Sequence, residues 1–229
     1  MTKIKSLWFG LFLLSIGTTI YGQTNRFDVG VEGSPSLIFM GGNNYISSYQ
    51  KPTIGFSSGL FFQFNFKKII SLRTNLSFER KGSIIYSQMI DVNGNPVGKV
   101  TTNINFDYLT FPLLVRATFG KKIHFFVNAG PYFGYLIKQT FVSKGDNIPN
   151  TTYDRTSDNK RFDIGISKGL GFSVPIKKKF EFSFEARNNL GLYNVSAVPI
   201  ENNGTTKTNS TNFLFGFTYK FGQRASDTK

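Results

Sequence analysis

The chain has 229 residues, 27 Lys and Arg against 13 Asp and Glu, a formal charge of +14, and no cysteine. The missing thiols exclude a disulfide framework, a thiolate metal site and a lipid-modified cysteine. A mean hydropathy of −0.16 would suit a water-soluble protein, but a strand of a membrane barrel shows lipid only its alternate residues, so its averaged value stays low.

Residues 1–22 read as a secretory signal: Lys3 and Lys5, an apolar stretch from Leu7 to Ile20, and Gly22 before a cut ahead of Gln23. After it no run of about twenty apolar residues occurs, which excludes a helical membrane protein. Eight stretches of alternating polarity follow, at roughly 26–38, 53–66, 70–86, 102–119, 123–142, 161–174, 180–193 and 211–221. Short turns follow the second, fourth and sixth: Lys67 to Ile69, Gly120 to Lys122, and Pro175 to Lys179. Long polar loops follow the others, chiefly Ser143 to Lys160 and Asn194 to Ser210. Short turns alternating with long loops are the wiring of an eight-stranded antiparallel up-and-down transmembrane β-barrel. The barrel is expected over residues 23–221, in an outer membrane, with both termini and a tail of residues 222–229 in the periplasm.

The turns set an expected register. Around Lys67 to Ile69, Phe64 faces Leu72 and Leu60 faces Leu76 on the lipid side, while Gln63 faces Arg73 and Ser57 faces Glu79 inside. Around Gly120 to Lys122, pairing Phe119 with Ile123 sets Ala117 against Phe125, Arg116 against Phe126, Pro112 against Gly130 and Tyr108 against Gly134. Prolines at Pro112 and Pro131 predict a local break or bulge there, and the Tyr108 ring is placed to cover bare glycine backbone. Lys168 and Asn188 fall on the lipid side by parity, which predicts a bulge or a place above the membrane. A secreted lipocalin-like barrel is the soluble alternative, with its apolar face turned inward. Rows of Phe on one face against Gly, Ser, Asn and Thr on the other favour the membrane form, because a narrow interior takes small side chains.

The lumen charges expected from this parity are Arg73, Glu79, Arg116, Asp163, Glu181, Glu185 and Arg187, with Lys138 and Lys220 beside them. Charges of both signs in a narrow tube form a paired filling, because an unpaired buried charge is costly. The alternative is a small ion path. Lys67, Lys68, Lys121, Lys122, Lys177, Lys178 and Lys179 form a basic collar of turns suited to anionic head groups. Their separation into three turns does not make a nucleic-acid surface. His124, the only histidine, lies by a turn on the periplasmic side, away from where a histidine-dependent lipid hydrolase would need it. Asp146, Asp154 and Asp158 share a loop at irregular spacing that does not read as a cation loop. No cofactor is expected.

Glu79 to Gly82, Tyr108 to Leu114, Gly130 to Leu136, and Asp163, Gly165, Gly169 and Gly171 resemble the PorT-like outer-membrane β-barrel family of Bacteroidota over nearly all of the mature chain. The resemblance implies the fold and the outer membrane, not one activity; one group in the family is tied to protein secretion. The last strand puts Phe213, Phe215, Phe217, Tyr219 and Phe221 on one face. Its Gly216, Tyr219 and Phe221 resemble the signal read by the barrel-assembly machinery, although Leu214 departs from that pattern and residues follow Phe221. The expected role is a non-enzymatic barrel acting through its surface loops. A secretion or envelope-assembly accessory and a small channel are the alternatives. The expected partners are outer-membrane lipid including lipopolysaccharide, the assembly machinery and a surface or secretion partner.

Overall fold

The computed structural model describes residues 25–66, 69–146, 148–200 and 203–223. The expected signal segment, Lys67, Lys68 and most of the tail lie outside these residues. Eight long strands form an antiparallel ring: β1 (Asn25–Gly41), β3 (Thr53–Asn65), β4 (Ile70–Ile90), β5 (Pro96–Phe119), β6 (His124–Gly145), β8 (Phe162–Lys177), β9 (Phe180–Gly191) and β10 (Lys207–Gln223). Each pairs with the next, and β1 pairs with β10 to close the barrel. Closure leaves the long strands no open edge. Two short strands stand on the rim: β2 (Gln50–Lys51) on β4 and β7 (Ile148–Asp154) on β6. The segment expected to be a loop from Ser143 therefore continues as a hairpin, because Thr151, Thr152 and Tyr153 find ladder partners on β6.

The outer wall is apolar and the interior polar. Leu60, Leu76, Phe111, Val115, Phe125, Val127, Leu170, Phe215 and Phe217 are exposed, while Arg73, Asn75, Glu79, Asp163, Glu185 and Arg187 are buried. This overturns the lipocalin-like alternative, which needs the opposite polarity. Bare glycine leaves space for inward rings: a Cβ on Gly171 would lie 2.7 Å from the Phe126 ring, and one on Gly165 2.6 Å from Tyr132.

The β3–β4 register matches the sequence expectation, with Gln63 opposite Arg73 and Ser57 opposite Glu79. The β5–β6 register is two residues away from it. Phe119 pairs with Phe125, Arg116 with Asn128 and Pro112 with Tyr132, because Gly120 at φ 111° opens a wider turn and β6 begins at His124. A shift of two keeps every side chain on its expected face. Tyr108 therefore pairs with Leu136 rather than Gly134. Its ring still covers Gly134 diagonally, 3.2 Å from where a Cβ would stand. The ladder is interrupted opposite Gly130 and Pro131 without a register change, while the bulge falls between Asp107 and Tyr108. That bulge turns Lys138 outward, against the lumen position expected for it; it is exposed and lies 3.8 Å from Asp154. No bulge occurs at Lys168 and Asn188, which face each other in regular pairing.

The turn expected from Pro175 to Lys179 is shorter, since β8 runs to Lys177 and absorbs Pro175 in a bulge. At the opposite rim, α1 (Asn44–Tyr49) is capped by Asn43, whose side chain accepts from the Ile46 amide at 2.9 Å. This cap aims Ile46 into the barrel mouth, where it is buried against Met40, Ile104, Phe106 and Val195.

Candidate functional site

The lumen is filled from one end to the other by paired charges. At the end where β1 begins and β10 stops, Glu181 accepts from Lys220 at 2.5 Å and lies 3.0 Å from His124 Nδ1. One level higher runs an alternating chain of five charges. Arg73 and Arg187 both hold Glu32, Arg187 also reaches Glu185 at 2.6 Å, and Arg116 holds Glu185 at 2.8 Å. Each carboxylate bridges two guanidiniums, so most of the cost of burying these ions is offset by direct pairing. Arg73 stacks 3.6 Å over the Phe61 ring and Arg116 3.8 Å over Phe126. The rings thus replace water on the guanidinium faces.

Above this chain, Glu79 accepts from Asn189 at 3.1 Å, Ser210 at 2.6 Å and Asn212 at 2.8 Å. Lys81 then closes the tube. Its ammonium meets Asp163 at 2.9 Å, the Tyr132 hydroxyl at 3.1 Å and Thr208 at 3.3 Å, over the Tyr132 ring at 4.3 Å. Glu79, Lys81, Tyr108, Tyr132 and Asp163 come from the four sequence segments that carry the family resemblance, on four different strands. They meet in one plug. The void bounded by Asp28, Phe61, Arg73, Arg116 and Glu181 is about 10 Å³, room for one water at most.

All seven charges expected inside the barrel lie there: Arg73, Glu79, Arg116, Asp163, Glu181, Glu185 and Arg187. Asp28, Glu32 and Lys81 are buried beside them and were missed. Their even spacing along β1 and β4 with the inward polar residues was the available signal. Arg80, one residue from Lys81, faces outward and pairs with Asp107 at 2.6 Å. Lys121, Lys122, Lys177, Lys178 and Lys179 lie in or beside the turns at the end where β1 begins and β10 stops, all exposed. On β10, Gly216 points inward while Tyr219 and Phe221 are on the outer wall.

Beyond the plug the loops form a cup. A cavity of about 440 Å³ opens there, floored by Met40, Ile46, Ile104, Phe106 and Phe141. Gln139, Arg155, Asp158 and Asn159 supply its polar side. Gln139 is 2% exposed; its backbone amide donates to the Thr156 hydroxyl at 2.9 Å and its side-chain oxygen accepts from Asn159 at 3.4 Å, while its side-chain nitrogen makes no hydrogen bond to any described residue. Arg155 is drawn to Asp158 at 3.2 Å. The β7 hairpin is braced by Asp154, which accepts from the Thr156 hydroxyl and amide at 2.6 and 2.9 Å. Those two bonds hold the Asp154 carboxyl below the usual carboxylate range. Asp146 instead accepts from the Lys99 amide at 3.2 Å. Among the described residues no cluster of His, Asp and Glu is placed to hold a metal.

A closed ring of tilted antiparallel strands, apolar outside and polar within, is the architecture of a transmembrane β-barrel, in which every backbone donor is satisfied by a neighbouring strand. The chain belongs to the outer membrane protein β-barrel domain family, whose model matches residues 21–197. It is a β-barrel of the outer membrane of a Gram-negative bacterium. Among solved structures it is similar to neisserial surface protein A, at 11% identity over 85% of this chain and 97% of that one, with a TM-score of 0.48. OprG from Pseudomonas aeruginosa is 11% identical over 89% and 100%, with a TM-score of 0.43. Outer membrane protein W of Escherichia coli is 13% identical over 87% and 99%, with a TM-score of 0.42. No curated protein matches.

Proposed function

We propose that this protein is a non-enzymatic surface-recognition barrel, with both termini in the periplasm and the loop cup outside the cell. The observation that carries the reading is the cup itself: a preformed cavity of about 440 Å³, within the size range of small-molecule sites, above a lumen filled by paired charges. Its apolar floor and the free Gln139 amide suit a compact, largely uncharged molecule with a hydrogen-bond acceptor. The filled lumen argues against the channel alternative, since ions would have to displace buried pairs. Outer-membrane lipid, including lipopolysaccharide, would surround the wall. The assembly machinery would read Gly216, Tyr219 and Phe221. The PorT-like resemblance keeps a secretion accessory as a second reading, supported by the exposed basic turns at the terminal end.

The test is melting of the protein, followed by heat-modifiable gel mobility, against a panel of small apolar amides, esters and hydrocarbons. An amide or ester should raise the melting temperature of the wild type and leave Ile104→Trp, which fills the cup, unmoved. Equal shifts in both proteins, or none in either, would sink the recognition reading. Loss of exported cargo in a deletion strain with no binding defect would favour the accessory role.

A further inference from the structure

Among the charges on the largely apolar outer wall, Arg80 and Asp107 form an ion pair, while Lys168 on β8 is exposed between apolar neighbours. Lys168 pairs across the ladder with Ala129 and Asn188, and its neighbours on the same face of β8, Ile166 and Leu170, are exposed apolar residues. Among the described residues Lys168 has no ion-pair or hydrogen-bond partner. The outward carboxylate Asp107 is already held by Arg80. Beside Lys168, the Asn188 amide donates to Asn209 Oδ1 at 2.7 Å, the Ser210 carbonyl at 3.1 Å and Thr211 Oγ1 at 3.1 Å. These bonds fix a polar row across β9 and β10 without neutralising the ammonium. An unpaired lysine at the middle of a lipid-facing wall costs about 2–4 kcal/mol, so its depth and its neighbours decide what it meets.

Lys168 stands about nine residues up β8 from Lys177. At ~3.3 Å per residue and a tilt of ~45° that is a rise of roughly 21 Å, against an apolar band of ~25 Å. The backbone at Lys168 therefore lies just beneath the outer edge of the band, and its stem of about 6 Å carries the ammonium to the phosphate level. Ala129 on β6 lies level with Lys168, and Ala186 on β9 lies beside Leu170 one row below, so small side chains flank β8 on both sides. A second copy of the chain related by a two-fold axis would bring lysine against lysine.

We propose that Lys168, Asn188, Asn209 and Thr211 form a lateral site for a phosphorylated glycolipid of the outer leaflet. The ammonium takes the phosphate, the Asn209 and Thr211 side chains face the sugar hydroxyls, and an acyl chain packs on the apolar wall beside Leu170 and Ala186. The site rests on the orientation proposed above, with the loop cup outside.

Native mass spectrometry of the mature chain released from nanodiscs reads the site, with lipid A, dephosphorylated lipid A and phosphatidylglycerol as competing probes. Lipid A should be retained about five-fold over dephosphorylated lipid A, the preference that ~1 kcal/mol from a single lysine supplies, and should outcompete phosphatidylglycerol, which offers the ammonium a phosphate but brings no sugar to Asn209 and Thr211. Lys168→Ala should bring lipid A down to the dephosphorylated level, and Lys168→Arg should keep it. Equal retention by wild type and Lys168→Ala, or equal competition by phosphatidylglycerol, would overturn the site. Orientation is read separately by labelling Asn93→Cys and Ser157→Cys on intact cells with an impermeant maleimide. Lipid A retention without labelling overturns the orientation, whereas labelling without retention overturns the site.

Discussion

Replacing Lys81 by methionine keeps most of the side-chain volume and removes the cation that caps the lumen. Asp163 would then lose its partner at 2.9 Å but keep the Tyr132 hydroxyl at 3.0 Å and the Thr208 hydroxyl at 2.6 Å. Breaking a buried pair by removing one member costs about 3–5 kcal/mol, and those two surviving hydrogen bonds place the loss near ~3 kcal/mol. Asp163→Asn leaves the ammonium with Glu79, 4.0 Å away, and should cost less, about 2 kcal/mol. In the double variant neither charge is stranded. The two losses should therefore fail to add by at least ~1.5 kcal/mol, within the range measured for residues in direct contact. Urea titration in lipid vesicles, followed by tyrosine fluorescence and gel mobility, measures all three. Additive losses, or a Lys81→Met loss under about 1 kcal/mol, would refute the view that the plug is held by charge pairing rather than by packing.

Gly171→Ala should drive the added carbon into the Phe184 carbonyl and to 2.7 Å from the Phe126 ring, so that both the β9 backbone and the ring over Arg116 must shift; an unfolding loss at the upper end of the usual overpacking cost, about 3 kcal/mol, is expected in the same titration. The loop cup has its own pH dependence. The Asp154 carboxyl is held low by the Thr156 hydroxyl and amide, so its stabilisation of the hairpin is complete above the ordinary carboxylate range and is lost as pH falls through the depressed value. Thr156→Val removes the hydroxyl bond and should move the Asp154 carboxyl titration upward, observed by ¹³C NMR of that side chain.

Strand parity was legible because lipid and lumen impose opposite demands on alternate residues, and the eight strands of the ring follow from it. The β3–β4 register was equally legible, since a tight turn leaves little choice. The β5–β6 register slipped by two because Gly120 adopts φ 111°, a conformation that any glycine permits and none announces. Lys138 illustrates a further limit. Parity counts assume an unbroken ladder, and the bulge opposite Asp107 leaves Ile137 unpaired on β6 and reverses the faces of that strand beyond it. The cup was illegible for another reason. α1 and β7 are short and polar, and their order comes from Asn43, Asp154 and the rim strands rather than from any periodicity.

Glu32 sits on the first strand of the ring, Arg73 on the third, and Arg187 on the next to last, 155 positions away from Glu32. During assembly the carboxylate that joins the two guanidiniums cannot have both until almost the whole chain is in place, and contacts this far apart in sequence form late. Until then the arginines must stay hydrated. The five-charge chain is thus a latch that water holds open and the arrival of β9 and β10 shuts, so that sealing the wall and drying its interior become a single final event.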